Sequence, residues 1–347
     1  MQWKQPAPVR SSFLMSNLGK GDLVVTGGAG LIGSALIWGL NNRGFENIWL
    51  VDSQEPNEQK AKNLAPLHFC RHISPDNFRE MIRDNSDDLT SLSTLFHLGA
   101  CSSTTETNEE YLNDNNLGYT RELCEWSLEH DVRFVYASSA STYGDGSLGM
   151  DDQEEDLSQF KPLNLYGWSK HKFDLLASEN QWLQHIVGLK YFNVYGPNEE
   201  HKGDMRSVVS KAYEQIASTG KMTLFKSYHP AYKDGEQMRD FLYVKDSVLM
   251  TLWLAETSSA NGLFNLGSGK ARTWLDLGHS IFSALGREPN IRLIEMPEIL
   301  RDKYQYFTEA KIEKLRLAGY ANELFEMEDA VRDYVTQYLV PQRRLAS

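Results

Sequence analysis

A phenol and an ammonium stand four residues apart in the stretch Leu163-Asn-Leu-Tyr-Gly-Trp-Ser-Lys170. The stretch reads as the start of a helix, and the i, i+4 spacing puts Tyr166 and Lys170 on one face of it. A phenol titrates ordinarily near 10 and is a poor base at neutral pH. A cation beside it favours the phenolate. Taken alone, Tyr-x-x-x-Lys is usually a core aromatic followed by a solvated lysine, so the pattern needs partners. Ser139 is one. It follows Arg133-Phe-Val-Tyr-Ala-Ser138, a predicted strand, and ligands of open parallel sheets sit beyond such strand ends. Beside a nicotinamide, Ser139 can hydrogen-bond a substrate oxygen and Tyr166 can take or return its proton. Lys170 can hold a ribose while polarising the phenol. Together these are the groups that alcohol–ketone interconversion requires.

The elements that would position this triad are legible upstream. Asp22-Leu-Val-Val-Thr26 is a short apolar run, followed at once by Gly27-Gly-Ala-Gly-Leu-Ile-Gly33, a helical stretch, and a second strand ending at Asp52. Strand, glycine turn, helix, strand and acid form a dinucleotide-binding context. The glycines permit a tight turn and close approach to a pyrophosphate at a helix N-terminus, and Asp52 is placed for an adenosine ribose. Both the 28, 30, 33 and the 27, 30, 33 glycine spacings are present. Thr94 to Leu98, Arg133 to Ser138 and His185 to Tyr191 predict further strands, with a long helix over 111–129. The expected architecture is α/β: a Rossmann-type doubly wound parallel sheet over 21–191, and a smaller, interleaved C-terminal α/β substrate lobe over 192–347. A return segment near 239–265 would rejoin the first lobe, beginning with Arg239 to Asp246, and 1–20 would be a flexible leader.

Composition sets outer bounds. The 347 residues carry a formal charge of -12, which argues against nucleic acid as the main partner. Three cysteines, Cys70, Cys101 and Cys124, have neither disulfide-framework nor metal-site spacing, which fits a reducing cytoplasm and no bound metal. No apolar run approaches the ~18 residues of a membrane span.

Several longer strings carry a family resemblance. The glycine fingerprint, the serine strand, Tyr-x-x-x-Lys, Tyr191-Phe-Asn-Val-Tyr-Gly-Pro197 and Arg239-Asp-Phe resemble extended short-chain dehydrogenase/reductases acting on nucleotide sugars. Gly99-Ala-Cys-Ser-Ser-Thr-Thr-Glu106, Asp114-Asn-Asn116, Glu199 with His201-Lys-Gly203, and Tyr304-Gln-x-Phe-Thr308 are most similar to the ADP-L-glycero-D-manno-heptose 6-epimerases, from about Asp22 to about Tyr338. The resemblance implies oxidation of a C6″ alcohol to a ketone, rotation of the sugar side chain, and return of the same hydride from the other face. It implies a second acid/base at Lys202, with Tyr166 as its counterpart. For the cofactor it implies contacts from Gly27, Gly30, Leu31, Ile32, Gly33, Asp52, Ser53, Lys60, Leu98, Gly99, Ala100, Ser102, Asn115, Lys170 and Val194. For an ADP-sugar it implies Ser139, Asn193, Asp204, Lys211, Phe225, Arg239 and Tyr304, and it implies a homo-oligomer serving lipopolysaccharide synthesis. Three positions depart from the family pattern: Leu98 for a common glutamate, Lys211 for a histidine, and Lys226-Ser-Tyr228 for an acidic, glycine-containing loop.

Two questions stay open at the level of sequence. Asp52 alone favours NAD, because its charge repels a 2′-phosphate, whereas Ser53 and Lys60 could hold that phosphate; NADP is the expectation, with NAD the alternative. Among other activities, a nucleotide-sugar 4,6-dehydratase needs acids just after the serine strand, where this chain has Ala140 and Ser141. A UDP-sugar 4-epimerase would use the same Ser139, Tyr166 and Lys170. A non-catalytic cofactor-sensing protein would be expected to have lost the Tyr/Lys pair.

Overall fold

The structure is a computed structural model that describes residues 17–301 and 304–346. Among the described residues twelve strands occur in chain order: β1 (Asp22–Thr26), β2 (Ile48–Val51), β3 (Arg71–Ile73), β4 (Leu92–His97), β5 (Arg133–Ser139), β6 (Val187–Tyr191), β7 (Asn193–Tyr195), β8 (Met222–Phe225), β9 (Met238–Tyr243), β10 (Gly262–Leu266), β11 (Ala271–Thr273) and β12 (Ile291–Ile294). Seven of them form one parallel sheet in the order β10-β6-β5-β4-β1-β2-β3. A parallel sheet covered by helices on both faces wants continuous apolar strands, and β2, β6 and β10 are buried along their whole length. The chain winds outward in opposite directions from β1 and β4, so a crevice opens beyond their C-terminal ends. That is where ligands of doubly wound sheets bind.

The return to this sheet differs in detail from the expectation. Met238–Tyr243 does not rejoin it; β9 pairs with β7 and β11 in a separate three-stranded sheet. The segment that rejoins is the helix Val244–Glu256 with β10, which pairs with β6. The helix lies tightly against Leu31–Asn41, because Gly39 leaves room that a Cβ would fill 2.4 Å from Val248. A third, two-stranded sheet joins β8 to β12. The edge strand β3, three residues with no apolar run, carried no readable signal. Residues 1–16 of the expected leader lie outside the described residues, and Leu18, placed in that leader, is fully buried in the core.

Three local features fix the wall that carries Tyr166. Asn164 caps the helix Leu165–Glu179 by accepting a hydrogen bond from the Gly167 N–H, as an Asn at this position typically does. Gly167 lets that helix approach the turn after β5, since a Cβ there would stand 3.0 Å from both Pro162 Cβ and the Ser141 carbonyl. Asp174, two turns on, is fully buried. It accepts from the Tyr136 hydroxyl at 2.9 Å and the Ser138 hydroxyl at 2.7 Å, and pairs with Lys190 on β6 at 2.9 Å. Lys190 also donates to Thr142 at 2.6 Å. The helix, the serine strand and the next strand are thereby tied together by one buried ionic network.

Candidate active site

A cavity of about 460 Å³ lies beyond the C-terminal ends of β1, β4 and β5. It brings together Gly27, Gly30, Leu31, Ile32 and Gly33 of the glycine turn, Asp52 and Lys60, and Leu98, Gly99, Ala100 and Ser102 after β4. Ser139, Tyr166, Lys170, Val194 and Lys202 line the same space. Gly27 has φ +67, and a Cβ on it would meet Gly99 Cα at 2.7 Å; a Cβ on Gly33 would stand 2.1 Å from the Gly27 carbonyl. At Gly30, by contrast, the nearest neighbours of a Cβ are the Gly27 carbonyl at 3.2 Å and His201 Nε2 at 3.9 Å. The turn is thus packed on its inner side and open toward the cavity, as a backbone cradle for a pyrophosphate must be. Asp52 accepts from the Ala29 and Ser53 N–H groups at 3.0 and 2.8 Å and from Lys60 Nζ at 3.0 Å.

The Ser139 hydroxyl lies 2.7 Å from that of Ser141 and faces the same cavity as Tyr166. Burial holds the Tyr166 phenol above its ordinary value, with the Ser139 hydroxyl opposing. The expected depression of the phenol by Lys170 is therefore not the balance found in the protein alone: desolvation penalises phenolate more than Ser139 favours it. The same burial lowers Lys170 to about 8, with Asp174 acting in the other direction. Lys202 is likewise lowered by burial, opposed by Glu199. Two lysines and a phenol with shifted proton affinities in one crevice mark a place for proton transfer.

The remaining expected positions fall elsewhere. Ser53 lies outside the lining, its hydroxyl accepting from the Glu55 N–H at 3.3 Å. Asn115 donates to Asn116 at 3.0 Å and is also outside it. In the second lobe, Arg239 is buried and donates to the Met238 carbonyl at 2.8 Å, with Trp274 and Tyr304 rings 5.7 and 5.2 Å from its guanidinium. The Tyr304 hydroxyl accepts from Trp274 Nε1 at 2.9 Å. Asn193 is exposed on β7, next to β9, and accepts from the Thr308 hydroxyl at 3.4 Å. Lys211 Nζ reaches the Asp204 carbonyl at 3.2 Å, and the Phe225 carbonyl accepts from Gln237 at 3.3 Å. Arg239 and Tyr304 are thus brought together, while Asp204 and Lys211 engage one another.

Sequence reasoning passed over three groups that hold the site. His97, fully buried, connects β4 to the glycine turn. The Thr120 hydroxyl donates to the Asn116 carbonyl at 2.6 Å, so its oxygen accepts from His97 Nε2–H at 2.9 Å. His97 Nδ1 then accepts from Thr26 at 2.8 Å, and the Thr26 oxygen accepts from the Gly99 N–H at 3.0 Å. Burial and Lys170 hold this imidazole well below its ordinary proton affinity, in keeping with a single neutral tautomer. Asn116 bridges Cys101 to Ser169 on the Tyr166 helix. His201 is the third, on the cavity wall beside Lys202; its presence in the His-Lys-Gly string was the one available signal. Among the described residues no cluster is placed to hold a metal ion, and no helix is long and apolar enough to cross a membrane.

Residues 23–267 match the NAD dependent epimerase/dehydratase family. The chain belongs to that family. A protein of Nitratidesulfovibrio vulgaris strain DP4 named ADP-L-glycero-D-manno-heptose-6-epimerase is 52% identical over 316 residues, covering 91% of this chain and 97% of that one. A protein of the same name from Fusobacterium nucleatum is 45% identical over 335 residues, covering 92% and 98%. Among solved structures, the Helicobacter pylori ADP-L-glycero-D-manno-heptose-6-epimerase superposes with a TM-score of 0.76 at 26% identity, covering 94% of this chain and 99% of that one. A UDP-N-acetylglucosamine 4-epimerase from Methanobrevibacter ruminantium also reaches 0.76, at 22% identity with 93% and 99% covered, a likeness of fold. Dinucleotide-binding family membership agrees with the parallel sheet and the glycine cradle.

Proposed function

We propose that this enzyme epimerises ADP-D-glycero-D-manno-heptose at C6″ to ADP-L-glycero-D-manno-heptose, through a transient 6″-ketone. The observation that carries the reading is one cavity holding Ser139, Tyr166 and Lys170 from β5 and its following helix together with Lys202 from the turn after β7. Returning the proton to the C6″ oxygen from the opposite side asks for a second acid/base, and these groups come from two separate elements. When bound, the nicotinamide supplies the chemistry of accepting and returning the hydride. Ser139 orients the C6″ oxygen, and Tyr166 removes or restores its proton. Lys170 steadies the ribose and supplies a positive charge that favours phenolate over the penalty of burial. Lys202 serves the opposite face as the second acid/base; burial lowers its proton affinity, which makes it a better proton donor than an exposed lysine.

The cofactor is proposed to be NADP, held at its 2′-phosphate by Ser53 and Lys60. The ion pair of Lys60 with Asp52 supports this, because it offsets the charge by which Asp52 would repel that phosphate. Residues 21–191 with the return segment would bind the nucleotide, and 192–347 mostly the ADP-sugar, with Arg239 suited to its pyrophosphate. Self-association and a cytoplasmic place in supplying heptose for lipopolysaccharide belong to the same reading. A UDP-sugar 4-epimerase is the alternative, weakened by the identities reported above. The test is incubation with ADP-D-glycero-D-manno-heptose without added cofactor, followed by proton NMR of the C6″ region. Conversion is expected; conversion of UDP-sugars instead would replace this reading with the alternative.

A further inference from the structure

His201 belongs to the cavity but has no part in the chemistry above. Its ring is fixed from behind. Nδ1 lies 3.1 Å from the Asn198 carbonyl, which can only accept, and 3.5 Å from Asn63 Nδ2, whose two protons go to the Ala29 and Asn198 carbonyls, so the Nδ1 proton points to the Asn198 carbonyl. The same carbonyl accepts from Asn63 Nδ2 at 2.9 Å, and that amide also donates to the Ala29 carbonyl of the glycine turn at 3.1 Å. Asn198 is itself immobilised, with φ +78, by hydrogen bonds to Ser34 at 3.0 Å and from the Leu345 N–H at 3.1 Å. With Nδ1 committed, Nε2 is the free tip of the ring. It is the side-chain atom nearest to a Cβ built on Gly30, the residue that caps the helix Leu31–Asn41.

That helix N-terminus is where an anion settles, and an anionic oxygen can only accept. A neutral ring with its proton on Nδ1 presents a lone pair to it, which is repulsive; a ring protonated on both nitrogens donates to it. We infer that His201 is a pyrophosphate ligand, and that it takes a proton from solvent onto Nε2 as the nucleotide binds. The inference rests on the cofactor reading given above. In the protein alone the charged groups around the ring oppose that proton: Lys60 from the helix Glu58–Leu64 and Lys202 on its own segment, with Asp52 weakly favouring it and Arg344 of the C-terminal segment paired to Glu200. Burial and these cations hold His201 near about 4, so it is neutral at pH 7 until an anion arrives. Binding two phosphates reverses the local sign of charge, which raises the proton affinity.

The test uses the purified protein labelled with nitrogen-15 in its histidines, with the His201 signal identified by its loss in His201→Gln. Two-bond proton–nitrogen spectra at pH 7.5 should show both ring nitrogens protonated with NADP⁺ or NAD⁺ bound, and Nδ1–H alone after the nucleotide is stripped. His201→Leu should weaken nucleotide binding by about 10–100-fold, the scale of a charged hydrogen bond. His201→Gln, which keeps an N–H donor, should lose less, and matching melting curves without nucleotide would separate ligand loss from misfolding. Bound nucleotide beside a neutral His201 would overturn the inference alone and point to a ribose hydroxyl as its partner. A protein that neither carries nor binds NAD⁺ or NADP⁺ would overturn the cofactor reading and this inference with it.

Discussion

Under the proposed function the crevice around the glycine turn is the nucleotide end and the cluster around Arg239 the sugar end, and the two are built in different ways. Around the glycine turn, the backbone itself makes the shape: Gly27 closes on Gly99, Gly33 on Gly27, and polar side chains such as His97 and Asn116 lock loop to loop with hydrogen bonds between 2.6 and 3.0 Å. At the sugar end, the shape is made by side chains, with the Arg239 guanidinium 5.7 and 5.2 Å from the Trp274 and Tyr304 rings and Tyr306 5.1 Å from Tyr304. A backbone cradle admits one ligand geometry and tolerates no added atoms. A side-chain cradle can be re-cut one residue at a time. Under the proposed function, the nucleotide would sit on the first kind of construction and the ADP-sugar on the second.

The contrast can be broken from either end. The largest stability effect should come from Asp174→Ala behind the nucleotide end. It strands the buried Lys190 and frees the Tyr136 and Ser138 hydroxyls, and removing one member of a buried pair costs about 3–5 kcal/mol. Chemical denaturation measures it, and a loss below about 1 kcal/mol would mean the network does not hold the wall. Next is Gly33→Ala, whose Cβ would collide with a carbonyl. Overpacking of this kind costs about 1–3 kcal/mol, and the variant should be purified without nucleotide. Arg239→Lys, at the sugar end, should raise KM about tenfold with kcat changed little, since a bidentate, ring-stacked guanidinium is replaced by a point charge. An equal fall in kcat would place Arg239 in the chemistry instead.

The smallest effect is a pH slope. Burial raises Asp152 to about 6, opposed by the Asn265 N–H that it accepts at 2.7 Å. Its unfolded carboxyl titrates near 3.9, so between about pH 4 and 6 the folded state holds the extra proton. This stabilisation is fully present below pH 4 and is lost as pH rises through 6. Asp152→Asn should flatten the stability profile in that window, read by melting temperature against pH. An unchanged slope would exclude Asp152 as its source.

The same contrast explains what could be read in advance. Gly27 to Gly33, Tyr166 with Lys170, and Ser139 are local strings, and local strings announce themselves by spacing. Asn116, His97 and Asn198 act through contacts between residues 53, 71 and 164 positions apart, for which no short pattern exists. Arg239 is readable from its string, yet its strand pairs with β7 and β11 and not in the parallel sheet, a choice its sequence leaves open because one apolar run fits either sheet equally well. In the protein alone burial outweighs the expected effect of Lys170 on Tyr166, for another reason: spacing reports a neighbour, whereas burial reports how much water both groups have lost.

The central claim is that two separate groups in one cavity move protons. Turnover of Tyr166→Phe and Lys202→Met, each measured from ADP-D-glycero-D-manno-heptose and from its C6″ epimer with nucleotide content matched to wild type, tests it most directly. Loss of at least about 10²-fold in both variants, the usual scale for removing an acid/base group, is predicted. Near-wild-type turnover by Lys202→Met in both directions would contradict the claim and leave Tyr166 as the sole proton carrier.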